Sequence, residues 1–198
     1  MSWSSSTAKK GTSSPLRNRN PAPFGPVQAS FLLVPILTAG YGNRGFENFM
    51  ALMKRHDVTH LVDVRSVPQS GYWEDFRRER LQRIVPETGL RYVYMGDTLG
   101  GVENSPVLCK DPDSVELAPF FDEPKLALGL DRLIQAAESR TVCLMCGCLR
   151  PHRCHRFRLV GEALSRRGVE VFHLDDQGES ISHAVIVEQA RPLQNSLF

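Results

Sequence analysis

Apolar residues along this chain follow two alternating periods. Short apolar runs bounded by Gly, Pro or polar clusters predict strands at Val34 to Ala39, His60 to Val64, Leu90 to Met95, Thr141 to Cys146 and Val169 to Leu174. Between them the period changes to that of a helix. Phe46 to Arg55 places Phe46, Phe49, Met50 and Met53 on one side, and further helices are predicted over Trp73 to Val85, Lys125 to Ala137 and Pro151 to Arg167, the last stopped by Gly168. Strands alternating with helices imply an α/β fold: a single-domain, mostly parallel, Rossmann-like open sheet of about five strands with helices on both faces.

Three stretches fall outside that rhythm. Residues 1–30 are rich in Ser, Pro, Asn and Gly and bury too little apolar surface to offset their ordering entropy, so a disordered extension is expected there. Gly96 to Pro124 is longer than an ordinary connection and is expected to act as a lid or flap. The α/β domain is assigned to residues 31–188, and 189–198 form a tail.

Composition narrows the class. With 198 residues, 41% of them hydrophobic, the chain supports one ordinary core. No apolar run is long enough to span a bilayer and no signal core follows Met1, so neither membrane insertion nor export is expected. The five cysteines are odd in number and mostly clustered, unlike a secreted disulfide framework, which points to a reducing cytoplasm. A net charge of +2 makes no case by itself for direct nucleic-acid binding. No dinucleotide fingerprint and no Walker loop occurs, so neither a nicotinamide cofactor nor ATPase activity is expected.

Candidate chemistry collects where strands hand over to helices, on the edge where open α/β sheets bind ligands. Tyr41 to Asn43 follows the first strand, Asp63 to Ser70 the second and Cys146 to Arg156 the fourth. Asp63 and Arg65, two apart, share a strand face. They make either a carboxylate-oriented guanidinium that grips an anion or a structural ion pair. Cys154 is expected in the first turn of the helix headed by Pro151, where the helix end and Arg156 would lower its thiol pKa. Cys146, at the strand end, is the nucleophile candidate by position. The competing account makes both cysteines small buried hydrophobes.

Metal binding is limited by the same geometry. Cys143 and Cys146 form a CxxC but point to opposite faces of one strand, so they do not chelate one ion. A zinc site would have to use Cys146, Cys148, Cys154 and His155. No arginine stands six residues after Cys146 or Cys148, where His152 and Cys154 lie, which excludes a thiol-phosphatase loop. His56, His60, His173 and His183 are assigned to a helix end, strands and the tail rather than to ligands. The helix carrying Arg77, Arg78, Arg80 and Arg83 also carries Glu74, Asp75 and Glu79 and is expected to be a solvated mixed-charge face.

Four segments in order, TAGYGNRGFENF, DVRSVPQS, YMGDTLGG and LMCGCLRPHRCHR, resemble the bacterial and archaeal domain of unknown function 488 family over about Ile36 to Phe198. The resemblance implies the α/β fold and carries over Gly40, Asp63, Arg65, Pro68, Ser70, Gly100, Gly101, Cys146, Cys154, His155 and Arg156 as site residues. The family commonly has a glutamate where this chain has Cys148. The last residues, with Gln194, Leu197 and Phe198, resemble a short bacterial sliding-clamp-binding peptide and would tie the protein to DNA replication or repair. The leading expectation is an enzyme or ligand-processing protein for a small anionic, nucleotide-like molecule. Cys146, Asp63 and His155 would be catalytic. Gly40, Tyr41, Asn43, Arg65, Ser70, Gly100, Gly101, Cys154 and Arg156 would bind the ligand. The alternatives are a non-catalytic adaptor acting through the C-terminal peptide and a zinc-stabilised module.

Overall fold

The computed structural model describes residues 34–100 and 117–190. The expected 1–30 extension, Gly101, most of the expected lid and the peptide with Gln194, Leu197 and Phe198 lie outside the described residues. In chain order the elements are β1 (Ile36–Gly40), α1 (Gly45–Arg55), β2 (His60–Asp63), α2 (Arg78–Glu87), β3 (Arg91–Tyr94), the short α3 (Gly96–Leu99), α4 (Pro124–Ala137) and β4 (Val142–Cys146). They are followed by α5, wound as a π-helix over Arg156–Gly161 and continuing as an α-helix over Glu162–Arg166, then β5 (Val171–Leu174), β6 (Ser180–Ser182) and α6 (His183–Ala190). None of the described helices is long and apolar enough to cross a membrane.

The sheet has six strands in the order β3-β2-β4-β1-β5-β6. All neighbours pair in parallel except β5 with β6. Side-chain alternation along β4 sorts the core into two layers. Val142, Leu144 and Cys146 face α4 and α5, whereas Cys143 and Met145 face α1 and α2. β1 and β4 lie side by side, yet β1 leads to β2 on one side and β4 to β5 on the other. Their chains therefore diverge at the carboxyl edge and open the crevice typical of such switch points.

Four expectations need correction. The helix predicted from Trp73 is a 3-10 turn (Glu74–Phe76) and a separate α2. Arg77 between them is extended at ψ 142° while the Arg78 N–H bonds to the Pro68 carbonyl, which lets Phe76 enter the core. The helix predicted from Pro151 likewise breaks. Pro151–Arg153 is a 3-10 turn, Cys154 is extended at ψ 145°, and α5 starts after it. The predicted lid begins with α3, and Ala118–Asp122 forms another 3-10 turn before α4. Finally, β6 and α6 follow β5 where no element was predicted, so the sheet has six strands instead of about five, and His183, assigned to the tail, is buried. Their short, mixed patterns carry little periodic signal.

Candidate functional site

Two buried polar clusters occupy the carboxyl edge, one on each face of the sheet. On the α1/α2 face, Arg65 Nη2 donates to Asp63 Oδ2 at 2.6 Å and Nε to Oδ1 at 2.8 Å. The guanidinium also donates to the Tyr41 hydroxyl at 3.1 Å and the Phe76 carbonyl at 2.8 Å. Tyr92 donates to Asp63 Oδ2 at 2.7 Å. The Tyr41 ring stacks on Phe76 with centroids 3.9 Å apart. Burial depresses the Arg65 pKa, but the Asp63 hydrogen bonds and charge outweigh it and hold the group above its usual value. Burial and then Asp63 push the Tyr92 phenol up, so it stays a neutral donor.

On the opposite face, Cys146 ends β4, and Cys154 precedes α5 rather than sitting within its first turn. The sulfurs of Cys146, Cys148 and Cys154 lie within 4.8 Å of one another. His155 Nδ1 stands 3.7 Å from Cys146 Sγ and 3.9 Å from Cys154 Sγ. Its Nε2 is 2.9 Å from the Val64 carbonyl, an acceptor only, so Nε2 carries a proton and Nδ1 faces the thiols. Arg156 donates to the Cys148 carbonyl, to the Leu149 carbonyl at 3.1 Å and to Thr38 Oγ1 at 3.3 Å, pinning the loop after β4. Cys148 is half-buried and disulfide-bonded.

The thiols do not titrate alike. Burial raises the Cys154 pKa, but the Cys146 S–H, the Arg156 charge and the Arg156 backbone N–H outweigh it and bring the thiol down to about 6. Cys146 keeps its proton: donating it to Cys154, together with burial, pushes that thiol up to about 12. Burial lowers the His155 pKa, but the Cys146 sulfur and the Val64 carbonyl outweigh it and raise the group above its ordinary value. Cys143, on the other face, is pushed up to about 12 by burial.

The structure brings together Cys146, Cys148, Cys154, His155 and Arg156, and separately Asp63, Arg65 and Tyr41. It does not bring the two sets onto one face. Arg65 and Arg156 turn inward onto protein acceptors, so they build the edge instead of presenting open anion forks. Gly40 is needed because a Cβ would stand 1.9 Å from the Cys148 carbonyl, and Gly100 because one would stand 2.7 Å from Ser66 Cβ. Ser70 accepts the Trp73 backbone N–H at 3.0 Å and so serves its own turn. Asn43 is exposed in the turn after β1.

Sequence reasoning missed Tyr92 and treated His173 and His183 singly. They form a buried chain in which Thr38 Oγ1 meets His173 Nδ1 at 2.7 Å, His173 Nε2 meets His183 Nδ1 at 3.0 Å, and His183 Nε2 meets Glu162 at 3.2 Å. No sequence signal joins positions this far apart.

No curated protein and no solved structure matches the chain. The sequence model described as "Domain of unknown function DUF488" matches residues 45–164. That span includes both strand ends with buried polar clusters, from Asp63 through Arg156, but only the end of the first resembling segment. On that match the chain belongs to the DUF488 family.

Proposed function

We propose that the protein is a thiol-dependent enzyme or ligand-processing protein, with Cys154 as the reacting thiolate. The supporting observation is the placement of Cys154 against the Cys146 thiol, the Arg156 backbone N–H and His155 Nδ1, in one buried group at the switch point. Cys154 replaces Cys146 as the nucleophile because the donors converge on Cys154. In a group transfer the Cys154 sulfur bonds to a soft electrophilic atom, and the leaving group departs with its electron pair and takes the Nδ1 proton of the His155 imidazolium, whose Nε2 proton stays hydrogen-bonded to the Val64 carbonyl. Cys146 is the adjacent second thiol. Asp63, Arg65 and Arg156 position the edge, and a nucleotide-like ligand gains no support from their guanidiniums.

The test follows the ultraviolet absorbance of the thiolate against pH in the full chain, in Cys154→Ser and in Cys146→Ala. A transition near pH 6 that vanishes in Cys154→Ser and moves upward in Cys146→Ala supports the proposal. If no thiol titrates below about 8.5, the unperturbed value, the proposal fails.

One observation favours a second reading. A tetrahedral zinc with Zn–S near 2.3 Å sets sulfurs roughly 3.8 Å apart, and three sulfurs already lie within 4.8 Å of one another. His155 adds Nδ1, with its other nitrogen held by a backbone carbonyl as ligating histidines commonly are. After reduction of Cys148, one tightly bound zinc per chain that is lost in Cys146→Ala would establish a metal–thiolate centre instead. The adaptor alternative rests on Gln194, Leu197 and Phe198, outside the described residues.

A further inference from the structure

Away from both clusters, a cleft of about 310 Å³ opens between α4 and β3, the first strand in the sheet order. Its floor is apolar: Val62, Val93, Met95, Leu133, Ala136 and Val142. Its rim carries Arg91, Arg132 and Arg140, with His60 beside them. No acidic side chain among the described residues lines it. Among the described residues, none of these three arginines makes a side-chain hydrogen bond or ion pair, unlike Arg55, Arg77, Arg80, Arg166 and Arg167, each of which holds a carboxylate. His60 feels the uncompensated charge, since burial first and then Arg140 and Arg91 hold its pKa below the ordinary value.

An apolar floor ringed by unpaired guanidiniums suits a molecule that is apolar in body and anionic at its edge. We propose that this cleft binds a small amphipathic anion, an aromatic or medium-chain carboxylate, sulfonate or phosphate ester, one per chain. The apolar body covers the half-buried Val93 and Ala136, which lie over the buried Val62 and Leu133. The anionic group meets Arg132 and one of the two arginines at the strand starts. The desolvated floor supplies affinity and the guanidinium forks fix orientation. A simple inorganic anion leaves the floor wet, and an uncharged hydrocarbon leaves the arginines unpaired. The volume lies at the lower end for small-molecule sites, which limits the occupant to about one or two rings. The proposal is independent of the thiol site.

The full chain titrated with 8-anilinonaphthalene-1-sulfonate, read by fluorescence, tests it. Saturable one-to-one binding is expected. It should weaken at least tenfold in Arg91→Gln/Arg132→Gln/Arg140→Gln, whose exposed positions leave the core intact, and to a similar degree in Ala136→Phe, which fills the floor. Octanoate should displace the probe, whereas inorganic phosphate and an uncharged phenylnaphthylamine should not. Unchanged affinity in the arginine variant overturns the proposal. So does displacement by phosphate or by an acidic peptide as effective as by octanoate, which would make the patch a general anionic docking surface. Cys154→Ser should bind the probe as the parent does, so failure here and failure of the thiol proposal are told apart.

Discussion

The two buried clusters at the carboxyl edge have similar depth and opposite chemistry. Asp63, Arg65, Tyr41 and Tyr92 pair fixed charges with fixed donors. The carboxylate receives the guanidinium and a phenol, and the guanidinium is shared among four acceptor atoms. That cluster is closed. Cys146, Cys154 and His155 instead share protons that redistribute among two sulfurs and a nitrogen. Depth alone therefore does not mark a reactive site. What separates the clusters is whether burial leaves groups able to change protonation state.

The sharpest way to break this comparison is to unpair the closed cluster. Asp63→Ala strands the Arg65 guanidinium in the core and is expected to cost about 3–5 kcal/mol in denaturant unfolding. Adding Arg65→Met should recover much of that loss. If Asp63→Ala unfolds at the parent's midpoint, the pair is not the structural element described here.

The next largest effect is on acid stability through His173. Burial, then Arg156 and His183, hold its pKa down at about 2, below the unfolded value of 6.5. The unfolded chain therefore takes up a proton below pH 6.5 that the folded chain refuses. This contribution is absent at pH 7 and destabilises the fold by about 1.4 kcal/mol for each pH unit below 6.5. The slope of unfolding free energy between pH 6 and pH 5, compared with that of His173→Gln, reads it directly, and the variant's slope should be shallower by about one proton.

A change of comparable size sharpens the account of the closed cluster. Tyr92→Phe removes one donor from a carboxylate that retains the guanidinium, and a loss of about 1.5–3 kcal/mol is expected, with the thiolate titration untouched. The smallest effect distinguishes the two faces of β4. Cys143→Ala deletes one buried sulfur and should cost about 1 kcal/mol while leaving the Cys154 transition in place. A shift of that transition in Cys143→Ala would mean that the faces are coupled and that the comparison fails.

Much of this was legible in order. The strand at Thr141 to Cys146, its alternation and the exclusion of a Cys143–Cys146 chelate follow from a period of two, and the structure places the two sulfurs on opposite faces. Helices with strong apolar stripes, such as α1 and α4, were equally plain. The breaks at Arg77 and Cys154 were not, because each is made by a contact to a distant segment or core position that outweighs local helix preference. The break at Cys154 matters most, since it places the thiol at a capping position where donors converge.

The sequence by itself determined the α/β alternation and the family, since these depend on periodicity and on residue order. Only the tertiary structure decided that Asp63 and Arg65 stand on the other side of the sheet from the thiols. It alone showed that Arg65 and Arg156 face inward and that His173 and His183 form one chain. Strand order and side-chain partners depend on packing between residues up to 135 positions apart, as at Thr38 and His173, and local pattern holds no record of them.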